Sequence, residues 1–211
     1  MICAAKGYKC IIAMPQLPPF EERYIICRMF GSDVHLTAPA KGMPGLKEYT
    51  EDFVAKNEGY FLVNQFYNEA NPNIHYTTTG PEIWEQSGEN VDYFVTGVGT
   101  GGTALVQISH VSEFLSATSS ESIEWATKLA KMEGIMVGPS SGATLKVAMD
   151  LAGRPEAKGK TIVVIAASHG IRYTAHPLWK EMKEEAKVAL PQPPNMSKEE
   201  GTLFWDSSKR S

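Results

Sequence analysis

The sequence predicts an α/β fold in which parallel strands are covered by helices. Two observations carry this. Helical and strand-like periodicities alternate along the chain, the pattern of βαβ units and a parallel sheet. Loops rich in glycine, serine and threonine follow three of the predicted strands, at residues 99–103, 138–142 and 167–170. The carboxyl ends of parallel strands are where open α/β sheets take ligands.

Each element follows from local signals. Residues 1–6 read as the last turns of a helix stopped at Gly7, since glycine takes the left-handed cap. Residues 8–14 form a short apolar strand ended by Pro15, and Pro18 and Pro19 stiffen the loop after it. Residues 20–30 are helical with Tyr24, Ile25 and Met29 on the apolar side, closed by Gly31. Residues 33–36 form a second strand. Leu46, Tyr49, Phe53 and Val54 give residues 44–56 a helical stripe. Residues 60–63 read as a strand, and 74–86 as a helix interrupted at Gly80-Pro81. Residues 91–98 are strand-like, and 104–108 begin a helix that Ser109-His110 stops early, short for a crossover.

The second half is clearer. Thr118 with Glu121 three positions on is a capping box. It starts a helix to Glu133 with Ile123, Ala126, Leu129 and Ala130 inward and Gly134 at the end. Residues 135–137 form a buried strand and 143–151 another helix. Residues 161–166 form a β-branched strand, and the tail from Val188 reads as loosely packed.

Composition narrows the function. A hydrophobic fraction of 43% in 211 residues allows a real core. A net charge of −4 argues against nucleic acid, which needs a clustered basic face. No apolar run spans a membrane, and residues 1–7 lack the basic region and apolar core of a signal peptide. Cys3, Cys10 and Cys27 are odd in number and irregularly spaced. They read as small buried side chains in a reducing compartment, with neither disulfide frame nor metal site.

The chemistry centres on Val91-Asp92-Tyr93-Phe94-Val95-Thr96-Gly97-Val98-Gly99-Thr100-Gly101-Gly102-Thr103. Glycines let a tight loop aim several N–H groups at one point, and such a loop between a strand and a helix cradles phosphate. A plain glycine-rich turn is the competing reading. Gly138-Pro139-Ser140-Ser141-Gly142 also fits the nucleophile elbow of serine hydrolases, followed by Asp150 and then His169 or His176. Asp150, however, falls on the helix just after the serine instead of at a later strand end.

A collinear series of motifs decides more than any single one. Ala4-Ala5-Lys6-Gly7-Tyr8-Lys9, Met14-Pro15, Glu22-Arg23, Ala40-Lys41-Gly42-Met43, Asn64-Gln65-Phe66 and Asn71-Pro72-Asn73-Ile74-His75 come first. Thr78-Thr79-Gly80-Pro81-Glu82-Ile83-Trp84, Gly99-Thr100-Gly101-Gly102-Thr103, Gly138-Pro139-Ser140-Ser141-Gly142-Ala143 and Arg172-Tyr173 follow. The chain resembles the cysteine synthase (O-acetylserine sulfhydrylase) family of pyridoxal-phosphate enzymes up to about Glu184. The resemblance implies fold type II, with parallel sheets covered by helices. It implies that Gly99, Thr100, Gly101, Gly102 and Thr103 hold the cofactor phosphate, that Ser140 bonds the pyridine nitrogen, and that Gln65 lies near the substrate carboxylate. It implies replacement of the acetate of O-acetylserine by sulfide to give cysteine. A homodimer and a serine acetyltransferase partner are implied by it as well. Cystathionine β-synthase and other β-replacing enzymes are the related alternative. A non-catalytic paralogue docked on a complete cysteine synthase or on the acetyltransferase is another.

The chain also departs from that family. No Ser-Val-Lys-Asp-Arg-type segment, which bears the Schiff-base lysine, and no Thr-Ser-Gly-Asn-Thr-type substrate loop occurs. Lys6, Lys9 and Lys41 match non-catalytic positions. Residues 104–110 bridge directly to Val111-Ser112-Glu113-Phe114 where the family has a full helix, strands and an active-site loop. The expectation is therefore an incomplete fold, truncated before Met1 and deleted after Thr103, from a truncated gene model or splice product. Residues 1–63 would be the rest of a small domain, 64–187 a large cofactor domain, and 188–211 a tail. No residue here is a catalytic lysine, so activity alone is not expected. The compartment would be the cytoplasm, or an organelle had a targeting peptide been lost.

Overall fold

The computed structural model describes residues 1–16, 21–98 and 111–189. Two parallel strand pairs anchor it. β1 (Ile11–Pro15) pairs with β2 (Asp33–Thr37), Ile11 opposite Asp33 and Pro15 opposite Thr37. β3 (Tyr93–Val95) pairs with β4 (Ile162–Val164), Tyr93 opposite Ile162. The second register is set by Asp92. Its carboxylate accepts from the Thr161 amide at 2.9 Å and from Lys160 Nζ at 2.8 Å, while its own amide donates to the Thr161 carbonyl at 3.0 Å. Parallel pairs need long crossovers, and helices supply them.

In the first half the helices are α1 (Ile2–Lys6), α2 (Glu21–Met29) and α3 (Gly42–Lys56). Gly7 at φ 72° and Gly31 at φ 74° take the left-handed turns that end α1 and α2, as the glycine stops predict. α4 (Ala70–Ile74), a π-helical turn His75–Thr79 and α5 (Gly80–Gln86) run on as one rod. The expected break at Gly80-Pro81 is thus absorbed: Pro81 has no N–H to bond back, and the widened turn precedes it.

In the second half α6 (Ser119–Glu133) and α7 (Pro139–Ala152) pack on each other. The capping box forms as its spacing predicts. The Glu121 amide donates to Thr118 Oγ1 at 3.3 Å, and the Thr118 amide donates to the Glu121 carboxylate at 2.7 Å. Gly142 makes the helix pair possible. A Cβ there would stand 2.0 Å from the Ser122 carbonyl oxygen and 2.8 Å from the Ala126 amide nitrogen. Lys146 of α7 closes the contact, lying 3.2 Å from Glu121 of α6 and pairing with Asp150 on its own helix.

Several expectations are corrected. Residues 60–63 form no strand, and of 135–137 only Val137 pairs, in a single antiparallel bridge to His169. A strand needs a neighbour for its amides, and residues 60–63 have none in either sheet. The final helix of the pair starts at Pro139, four residues before its predicted start, because proline suits the first helical position. Tyr24, Ile25 and Met29 of α2 are exposed, not packed. Cys3, Cys10 and Cys27 are half-buried instead of buried. The helix expected at 104–108 lies outside the described residues.

The buried apolar side chains among the described residues are Met14, Ala126, Val137, Ala148, Leu151, Ala157 and Leu178, most of them around α6, α7 and β4. The chain divides into two compact units, Met1–Leu178 and Trp179–Ser211. The second contains α8 (Lys180–Ala189), a helix the sequence reading did not foresee. No helix among the described residues is long and apolar enough to cross a membrane.

Candidate functional site at the amino end of α7

Two of the three hydroxyl-bearing loops meet. Gly138 is the N-cap of α7, with its amide donating to the Ser168 carbonyl at 2.8 Å. The Gly170 amide donates to the Met136 carbonyl at 3.2 Å, and Ser141 Oγ accepts from the Ala167 amide at 3.1 Å. The loop at 138–142 is thereby stapled to the loop at 167–170. Space between them is tight: a Cβ on Gly138 would lie 2.5 Å from Tyr173 Cε2 and 2.7 Å from Ser168 Oγ. Ser168 Oγ and the Tyr173 hydroxyl are 2.9 Å apart, so the tyrosine ring walls the loop.

Ser140 stands second in α7 and is exposed, with its carbonyl accepting from Thr144 Oγ1 at 2.9 Å. A helix N-terminus presents unpaired amides and positive potential. An exposed hydroxyl there is a donor set suited to a neutral nitrogen or an anion. The chain just past β3 approaches the same helix: a Cβ on Gly97 would be 3.6 Å from Thr144 Oγ1. Gly99, Thr100, Gly101, Gly102 and Thr103 themselves lie outside the described residues.

Gln65 is exposed on a different loop. Asn64 takes a positive φ of 43°, tolerated by asparagine, and its carbonyl accepts from the Tyr67 and Asn68 amides at 3.0 and 2.9 Å. The Gln65 carbonyl accepts from Asn71 Nδ2 at 2.9 Å. These bonds stay within residues 64–71. Asp150 is tied to Lys146 one turn back, and His169 Nδ1 accepts from the Ile171 amide at 3.3 Å. The aspartate and both candidate histidines of the hydrolase reading are thus engaged in local helix and turn bonds, His176 Nδ1 accepting from the Leu178 amide at 3.1 Å. Ser141 and Ser168 lie in loops the sequence points to, whereas Thr144 supports the site without having been singled out. Its one signal was its place four residues after Ser140 along α7, a hydroxyl spacing that is ordinary in helices.

The neighbouring electrostatics hold α7 in place. Glu121 is depressed to about 2, first by the Thr118 amide, then by the Thr118 hydroxyl and Lys146. Lys146 is raised, chiefly by Asp150 and next by Glu121.

Parallel pairs crossed by helices, with small-residue loops at a helix N-terminus, define an α/β ligand-binding protein. Comparisons narrow the class. Residues 1–106 match the family model of pyridoxal-phosphate dependent enzymes. Cysteine synthase A of Escherichia coli is 32% identical over 243 aligned residues, covering 89% of this chain and 75% of that protein. The crystal structure of cysteine synthase from Entamoeba histolytica superposes with a TM-score of 0.73 at 30% identity, over 84% of this chain and 66% of that one. A hydrogen sulfide-producing enzyme from Fusobacterium nucleatum gives 0.75 at 31%, over 82% and 74%. The chain belongs to the cysteine synthase family of pyridoxal-phosphate-dependent enzymes.

It spans about three quarters of the length of the bacterial relative and about two thirds of the Entamoeba chain. Since 89% of 211 residues is about 188, an alignment 243 long leaves at least about 55 positions where the relative has a residue and this chain has none. Pyridoxal phosphate is the family's cofactor. The described residues suit it at one point, the exposed Ser140 hydroxyl at the amino end of the 14-residue α7.

Proposed function

We propose that these 211 residues form the cofactor-holding part of a cysteine synthase-like enzyme and do not complete β-replacement alone. The observation that carries this reading is the presence of the glycine loop and Ser140 in a sequence with no counterpart of the Schiff-base lysine segment. Gly99, Thr100, Gly101, Gly102 and Thr103 would hold the phosphate, and Ser140 would donate to the ring nitrogen. A neutral hydroxyl leaves that nitrogen unprotonated. Pyridoxal phosphate, when bound, supplies the electron sink for eliminating a β-substituent of an amino acid and replacing it with sulfide. Gln65 would face the carboxylate of that amino acid, O-acetylserine in the family reaction.

The test is titration of the chain with pyridoxal phosphate, followed by borohydride reduction, peptide mapping and an assay for cysteine from O-acetylserine and sulfide. Expected are saturable binding weakened several-fold by Ser140→Ala, no single reduced lysine, and no cysteine. Specific reduction at one lysine with sulfide-dependent turnover sinks the proposal, and so does failure to saturate.

A second reading is favoured by the exposed apolar side chains Ile2, Ile25 and Met29 on α1 and α2. In it the chain is a non-catalytic subunit docked on a complete cysteine synthase, on serine acetyltransferase, or on a second copy of itself. Co-purification of one of these in stoichiometric amount, without added activity, would favour it.

A further inference from the structure

Helix α2 reaches the candidate site through two adjacent side chains. One Glu22 carboxylate oxygen accepts from Thr174 Oγ1 at 3.1 Å and from the Ala175 amide at 2.8 Å. The Arg23 guanidinium carbon stands 5.9 Å from the centre of the Tyr173 ring, within reach of a cation–π contact. Both side chains thus grip the turn at residues 173–175. That turn is closed on itself. The His176 amide donates to the Tyr173 carbonyl at 2.7 Å, and the two rings meet edge-on with centres 6.4 Å apart. Its other side faces the site. The Tyr173 hydroxyl lies 2.9 Å from Ser168 Oγ, and the ring fills the space beside Gly138, the N-cap of α7. One turn of chain and one aromatic ring therefore separate Glu22 from the start of α7.

We propose that Glu22 is a positioning residue for cofactor binding: it holds the Tyr173 ring against Gly138 and so fixes the start of α7, which carries the Ser140 hydroxyl. The inference rests on the reading of Ser140 as the donor to the ring nitrogen. The turn needs such an outside tie. Ile171, Arg172, Thr174 and Ala175 are exposed, and the turn begins in a short 3-10 helix, Gly170–Tyr173. A surface segment with few buried contacts opens locally at low cost. Held closed, it presents α7 already ordered, and a site ordered before its ligand arrives loses less freedom on binding. Glu22 acts here as an acceptor, taking both bonds on one oxygen. A glutamine carbonyl oxygen has the same reach and two lone pairs. The acceptor, and not the charge, is what the role requires.

The test is equilibrium dialysis of the full chain against pyridoxine phosphate, whose alcohol in place of the aldehyde cannot condense with lysine. The half-saturating concentration is compared for the wild type, Glu22→Ala, Glu22→Gln, Ser140→Ala and the Glu22→Ala, Ser140→Ala double variant. Glu22→Ala should raise it several-fold, and Glu22→Gln should restore the wild-type value. With Ser140→Ala already in place, Glu22→Ala should add little, because the two act on one contact. An equal loss in both backgrounds would mean general loosening and overturn the proposal. So would wild-type binding by Glu22→Ala, or a Glu22→Gln chain as weak as Glu22→Ala. Thr174→Ala removes only the hydroxyl bond to Glu22 and carries the same cycle, with a smaller loss, if Glu22→Ala does not fold. A wild-type chain that never saturates sinks the proposed function and this inference together, whereas saturation indifferent to Glu22 sinks this inference alone.

Discussion

Gly142 is the residue on which the α6–α7 contact turns. Its missing Cβ lets two backbones approach, since the nearest atoms are the Ser122 carbonyl oxygen and the Ala126 amide nitrogen. Backbone cannot rotate away as a side-chain tip can. Gly142→Ala should therefore cost roughly 1–3 kcal/mol or more, as overpacking does, read as a fall in the urea midpoint at unchanged slope. Gly138 is a different case. Its would-be neighbours are the Tyr173 ring and the Ser168 hydroxyl. Both are side chains, so Gly138→Ala should cost less but break the 2.9 Å Ser168–Tyr173 contact. A midpoint for Gly142→Ala equal to that of the wild type would show that the two helices are not packed as described. Both glycines belong to the Gly138-Pro139-Ser140-Ser141-Gly142 motif that the sequence reading selected for cofactor chemistry. Their structural duty was illegible there, because nothing local says which helix face meets α6.

At the scale of elements, the capping box gives α6 a measurable pH dependence. Glu121 titrates at about 2 in the folded chain against an ordinary value of 4.5. Its folded value is depressed, so its contribution is fully present above 4.5 and is lost as the pH falls from 4.5 towards 2. Helix content and thermal midpoint should drop across that window. Glu121→Gln should remove the Glu121 share of this dependence, while Thr118→Ala, which keeps the amide and loses the hydroxyl, should lower stability at neutral pH by roughly 1 kcal/mol, the usual worth of an N-cap. A Glu121→Gln chain with the wild-type acid profile would assign the transition to other carboxylates. α6 was fully legible in sequence, cap to glycine stop, because every signal that defines it is local. The π-helical turn at His75–Thr79 was not. Its register is a compromise between a proline and the continuous rod around it. Strand expectations failed at residues 60–63 for a related reason: β-propensity needs a partner before it becomes a strand.

For the molecule as a whole, the apolar surface stands out. Met29 is 81% exposed and Phe61 79%, and no large side chain is fully buried among the described residues. Surface of that kind favours association. The chain should bind a hydrophobic dye in the folded state, and its sedimentation coefficient should rise with concentration. A dye-silent, concentration-independent monomer would mean that the exposed side chains are covered in solution.

By itself the sequence determined the family, the alternation of helix and strand, the caps of α1, α2 and α6, and the identity of Ser140 and the glycine loop as candidates. All of these rest on short-range patterns or on motifs met in order along the chain. Only the tertiary structure decided which loops meet. It joined Gly138 to Ser168 and Ser141 to Ala167, and it linked Glu22 to the backbone of Ala175 at 2.8 Å across 153 residues. It also decided which apolar faces go uncovered. Packing depends on what each element finds opposite it, and no stretch of sequence carries that information alone.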